Sequence, residues 1–191
     1  GTEVVTNHVY LMVDLQFAKV TEGPVVTDTV ISWSGHFGDY NDDGLLDLVV
    51  GGDYKSTGRN TRLYRNEGQG HFSAILTGPW QDLPDRVLYG PWADADNDGD
   101  LDLLFGVHES ADPFYMRNDG GGTFPRLAVD MTWIQPPRQV GGGECAWADL
   151  DGDGLLDVIL NGPSTFPLHN RGDGTFTVLT NTPMARFGGW S

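Results

Sequence analysis

The sequence predicts an all-β chain of four-stranded antiparallel blades, about three and a half of them, on three observations. Acidic turns recur at Asp39–Asp47, Asp94–Asp102 and Asp149–Asp157, with first aspartates 55 residues apart in both intervals. A second pattern of aromatic or aliphatic residue, Asn and Gly, ending in Phe, recurs at residues 63–72, 115–124 and 168–176. No segment carries a helical apolar period of useful length. A repeat of this size marks an architecture in which each unit is one supersecondary element that stacks on its neighbours.

Each unit reads as four strands. An aromatic (Phe37, Trp92, Trp147) ends the strand that enters the acidic turn, which suits a buried strand end. The turn is followed by a short apolar run, Leu48-Val49-Val50, Leu103-Leu104-Phe105 or Val158-Ile159-Leu160, closed by glycine or Asn-Gly. Runs of that length, bounded by turn residues, are buried strands. The Asn- and Gly-rich stretch then makes a hairpin, since those residues tolerate positive φ. Four short antiparallel strands repeated radially describe a β-propeller blade. A parallel β-helix fits less well, because its coils are shorter.

The expected divisions are a leading half-blade at 1–24, blades at 28–79, 84–130 and 139–182, and the start of another at 184–191. Propellers close with about four to eight blades. Three closures therefore fit: a ring completed by a second copy, a small four-bladed ring, or a longer polypeptide of which this is a part. Association or truncation is the favoured expectation.

The acidic turns follow D-x-[DN]-x-D-G-x-x-D, which offers oxygen ligands at alternate positions around a tight reversal. Calcium takes about six to eight such oxygens at roughly 2.3–2.6 Å. The expected ligands are Asp39, Asn41, Asp43, the Leu45 carbonyl and Asp47; then Asp94, Asp96, Asp98, the Asp100 carbonyl and Asp102; then Asp149, Asp151, Asp153, the Leu155 carbonyl and Asp157. Without a cation, each close carboxylate pair would cost roughly 1–4 kcal/mol. Solvated acidic turns account for one such loop more easily than for three in matching register. EF-hands are excluded, because position 12 is Val50, Phe105 or Leu160 where that loop needs glutamate.

Over residues 28–180 the acidic turn with its L-D-[LV] exit and the later N-x-G-x-G-x-F stretch resemble the FG-GAP or VCBS repeat. That resemblance implies a calcium-binding propeller like those of integrin α-subunits, bacterial surface and secreted proteins and some fungal lectins. It implies nothing specific about function, since fold does not fix activity.

The chain has 191 residues, 39% of them hydrophobic, and a formal charge of −16. Such an acidic balance argues against nucleic acid, whose phosphates need a basic surface, and against anionic membranes. No apolar segment long enough for membrane insertion is present. Cys145 is the single cysteine, so no intrachain disulfide forms, and a small apolar role is expected for it. Calcium use without disulfides points to a secreted or cell-surface bacterial protein.

Two surfaces stand out as candidate binding sites. Trp80 with Arg86, and Trp133 with Arg138, lie in corresponding connections between blades. An indole face beside a guanidinium suits a sugar ring, while inter-blade packing is the plainer account and the favoured one. Arg171-Gly172-Asp173 spells an adhesion tripeptide but occupies the hairpin turn slot. Catalytic motifs such as H-E-x-x-H or G-x-S-x-G are absent from the sequence. The expectation is a recognition module for a glycan or a surface protein, lectin-like or adhesive. The alternatives are an assembly module and a piece of a secreted polysaccharide-degrading enzyme.

Overall fold

The computed structural model describes residues 19–28, 32–52, 61–82, 87–107, 113–129, 144–161 and 165–179. Most of the expected leading half-blade, the trailing strand, and Arg86, Trp133 and Arg138 lie outside them.

Among the described residues, three antiparallel sheets follow one another along the chain. The first is a meander of β1 (Ser32–Gly38), β2 (Asp47–Gly52), β3 (Arg62–Gly68) and β4 (His71–Ile75). In the second, β5 (Val87–Tyr89) and β6 (Trp92–Ala93) both pair with β7 (Asp102–Val107), which continues to β8 (Phe114–Met116) and β9 (Arg126–Ala128). The third comprises β10 (Cys145–Ala148), β11 (Asp157–Leu160), β12 (Phe166–Asn170) and β13 (Phe176–Val178). The split first strand of the second sheet has a local cause. Pro91 has no N–H to give the ladder, and Gly90 lies where a Cβ would come within 2.7 Å of the Phe105 ring. Among the described residues, helix is confined to one turn, Pro24–Thr27, and a 3₁₀ turn, Pro79–Asp82. No helix among the described residues is long and apolar enough to cross a membrane.

The core lies between sheets. Leu103, Phe105, Phe114 and Met116 of the second sheet pack with Val49, Leu63 and Trp80 of the first blade. Leu104 and Tyr115, the alternate positions, pack with Val158, Leu160, Leu168 and Phe176 of the third. Side chains of a strand point alternately to the two faces, so the middle blade is apolar on both because it has a neighbour on both. The described sheets are blades of a β-propeller.

Successive blades are joined in the same way twice. Trp92 Nε1 donates to the His36 carbonyl and Trp147 Nε1 to the Pro91 carbonyl, each at 3.2 Å. Asn118 Nδ2 donates to the Tyr40 carbonyl at 2.8 Å, and Asn170 Nδ2 to the Ala95 carbonyl at 2.6 Å. The tryptophan bonds span 56 residues in both cases and the asparagine bonds 78 and 75, so the same two contacts join each successive pair of blades. Gly38 admits this contact, since a Cβ there would meet the Trp92 indole.

One expectation is corrected here. Phe37 is 59% exposed, although the aromatics before the acidic turns were expected at buried strand ends. Trp92 and Trp147 are half-buried because each leans on the preceding blade. Phe37 belongs to the first described sheet and has no described sheet before it.

Candidate metal centre

Each acidic turn connects the first strand of its blade to the second, and the same two positions reverse its backbone in all three blades. The glycine at the sixth position is left-handed in each, with φ 84 at Gly44, 101 at Gly99 and 90 at Gly154. The fourth position is left-handed too: φ 56 at Asp42, 60 at Asn97 and 82 at Gly152. Asp, Asn and Gly are the residues that enter this region at least cost. The sequence reading identified the sixth position and missed the fourth, although its residue types carry the signal.

Side chains at positions one, three and five fold back over these reversals. Asp39 accepts from the Asp43 and Gly44 amides at 3.1 and 2.8 Å, and Asp149 accepts from Gly152 and Gly154 at 2.7 and 3.1 Å. Asp43, Asp98 and Asp153 each accept from the amide two residues on, at 2.9, 2.9 and 2.8 Å. Those amides belong to Leu45, Asp100 and Leu155, whose carbonyls were the expected seventh-position ligands.

The ninth-position aspartates do more than close a ligand shell. Asp47, Asp102 and Asp157 are fully buried. In each, one oxygen accepts from the turn's second residue (Tyr40, Ala95, Leu150) and the other from the hairpin asparagine (Asn66, Asn118, Asn170). One carboxylate thus ties the start of the turn to the third strand of its blade. Burial pushes the Asp102 carboxyl up to about 6, against hydrogen bonds from Tyr115, Asn118 and Ala95 that favour the charged form. Burial likewise raises Asp47 and Asp96, with Asp98 adding to the latter.

The donors fit a hard cation. Asp94, Asp96 and Asp102 bring one carboxylate oxygen each within 4.8 Å of the others, as do Asp149, Asp151 and Asp153. Asp94 Oδ1 and Asp96 Oδ1 are buried and accept no hydrogen bond. Two desolvated carboxylate oxygens without donors are costly unless a cation meets them. In the first turn the third residue is Asn41, and no three carboxylates gather so closely among the described residues.

The sugar-platform expectation does not hold at Trp80. Its side chain is 5% exposed, sits edge-on to Phe124 at 5.6 Å, and donates Nε1 to the Ile75 carbonyl at 3.1 Å. Enclosed by two blades, the indole offers no face to a ligand, and the packing alternative is what the geometry supports. Arg171-Gly172-Asp173 is a hairpin turn: Gly172 has φ 74 and donates to Asn170 Oδ1, while Asp173 accepts from Thr175. The Cys145 thiol is largely enclosed, and burial pushes it up to about 12.

Comparison with known proteins places these features. No curated protein matches the chain in sequence. In structure the chain resembles an Agrocybe aegerita lectin described by its specific recognition of non-reducing terminal N-acetylglucosamine. The TM-score is 0.57 at 21% identity, over 88% of this chain and 44% of the lectin, so the chain spans under half the lectin's length. The model of the FG-GAP-like repeat matches residues 39–105 and 94–160, two overlapping spans that each run from one acidic turn through the next. Matched over most of its length, the chain belongs to the FG-GAP-like repeat family.

Proposed function

We propose that the chain is a calcium-stabilised, extracellular recognition module that binds a glycan. The observation that carries the calcium reading is the pair of buried, undonated oxygens on Asp94 and Asp96, inside a turn whose two counterparts share its two left-handed positions. Asp94, Asp96, Asp98, the Asp100 carbonyl and Asp102 would hold the ion in the second turn, with the corresponding residues in the others. The cation supplies positive charge to clustered carboxylates. The chain's own part is to hold those oxygens in place through turn amides, and to tether each turn to the hairpin through its ninth-position aspartate.

The glycan reading is supported by the fold shared with a sugar-recognising lectin, and a protein partner is its second form. A secreted or cell-surface setting follows from the same proposal, because extracellular calcium is abundant enough to fill such loops. We read the module as non-catalytic.

The test has two parts. Metal analysis after dialysis against calcium should find three equivalents, and chelation should lower the melting temperature by many degrees. An unchanged melt with no bound calcium overturns the metal reading. A glycan array probed in calcium, with N-acetylglucosamine-terminated structures included, should give signals that chelation removes and Trp133→Ala weakens. An array without signals, together with turnover of a polysaccharide, overturns the recognition reading in favour of an enzyme.

A further inference from the structure

The third blade departs from the other two at one slot beside the acidic turn. The residue before the hairpin asparagine is Arg65 in the first blade, Arg117 in the second and His169 in the third. Both arginines engage the carboxylate two residues on. Arg65 donates to Glu67 at 2.9 and 2.6 Å, and Arg117 Nε donates to Asp119 at 2.6 Å. Two residues after His169 stands Arg171, which gives an imidazole no such partner.

His169 lies instead against the turn of its own blade. Nδ1 is 3.0 Å from Asp151 Oδ2 and 3.3 Å from Asp157 Oδ1. Neither approach has hydrogen-bond geometry, and Nδ1 is buried without a hydrogen-bond partner. One donor atom from each of the three side chains falls within 4.8 Å of the others. Asp157 is fully buried and held by two amides, so its position is set by the fold and not by the imidazole.

We propose that His169, Asp151 and Asp157 form a mixed nitrogen–oxygen site for a borderline divalent transition-metal cation such as zinc, a preference confined to the third turn. Calcium selects oxygen ligands, whereas imidazole nitrogen suits zinc, nickel and copper. Tetrahedral zinc bonds of about 2.0–2.2 Å put neighbouring ligand atoms roughly 3.3–3.6 Å apart, so the 3.3 Å approach to Asp157 already matches and the 3.0 Å approach to Asp151 is met by a small outward shift of that exposed side chain. Guanidinium cannot do this: it holds its charge and has no lone pair to give. In the second blade the Arg117 charge acts on Asp96, the counterpart of Asp151, and an arginine so placed opposes a cation. Histidine in this slot replaces a guanidinium that cannot ligate with a ring nitrogen that can.

This deepens the cation reading of one turn, and the two fail separately. Chelator-treated, desalted protein is titrated calorimetrically with zinc alone and with calcium alone, as wild type, His169→Gln and His169→Arg. One zinc equivalent is expected in the wild type, with affinity at least tenfold weaker in both variants. Calcium equivalents measured without zinc should be the same in all three proteins, since arginine fills this slot in the other blades. The His169 ring resonances of the wild type should shift on zinc addition, a readout that needs no variant to fold. Absence of zinc binding, undiminished zinc binding in His169→Gln, or an unperturbed ring overturns the site. Zinc bound at His169 without calcium binding anywhere supports it and overturns only the calcium reading.

Discussion

Asn170 divides its carboxamide between two blades. Nδ2 donates to the Ala95 carbonyl of the preceding blade at 2.6 Å and to the Leu156 carbonyl of its own at 2.9 Å, while Oδ1 accepts from Gly172. Asn118 repeats all three bonds with Tyr40, Leu101 and Gly120. Replacement by alanine would leave buried carbonyls without donors, which costs about 1–3 kcal/mol for each such group. Asn170→Ala and Asn118→Ala should therefore each lose roughly 2–3 kcal/mol in urea unfolding, with calcium present throughout. Thr175→Ala, which removes only a side-chain bond at an exposed turn, should lose under about 1 kcal/mol. The asparagines were legible in the sequence as turn residues only. Their reach into the neighbouring blade was not, because a hydrogen bond across 75 or 78 residues leaves no local pattern.

At the scale of the element, the acidic turn is a compromise between geometry and charge. Its amides satisfy many of the carboxylates, yet burial holds the Asp102 carboxyl at about 6 where an exposed one lies at 3.8. A carboxyl that binds its proton more tightly in the fold than in the unfolded chain stabilises the fold below about pH 4. That contribution is lost as pH rises through about 6. In chelator, thermal stability should accordingly fall between about pH 4 and pH 6. Calcium should reverse the trend, because it binds the charged form. Melting curves in chelator and in calcium across that range check this, and a chelator profile that rises with pH would contradict it. Strand pairs flank each turn. Their register follows from the ninth-position aspartate, the first residue of β2, β7 and β11 in turn.

For the whole molecule, stability resides between blades. Leu103 and Leu104 are adjacent in sequence and both fully buried, but one belongs to each inter-blade core. Leu103→Ala and Leu104→Ala should each cost about 2–5 kcal/mol. Since they empty different interfaces, their effects should combine almost additively. Gly38→Ala tests the other interface element. The added methyl meets the Trp92 indole and should cost about 1–3 kcal/mol as overpacking. Near-ultraviolet circular dichroism would register the displaced tryptophan. Urea unfolding of the set separates interface loss from loss inside a blade.

The sequence by itself determined the number of strands per blade, the three acidic turns and the family. Each of these is written in local spacing: a fixed period, glycine and asparagine at the reversals, and apolar runs of strand length. Tertiary structure alone decided what lies between blades. It buried Trp80, left Phe37 exposed, turned Asp47, Asp102 and Asp157 into ties between turn and hairpin, and brought His169 against Asp151. Those outcomes depend on which side of a strand faces a neighbour and on contacts between distant residues. Composition and period do not encode either, because the same side chain is core beside one blade and surface where no described blade adjoins it.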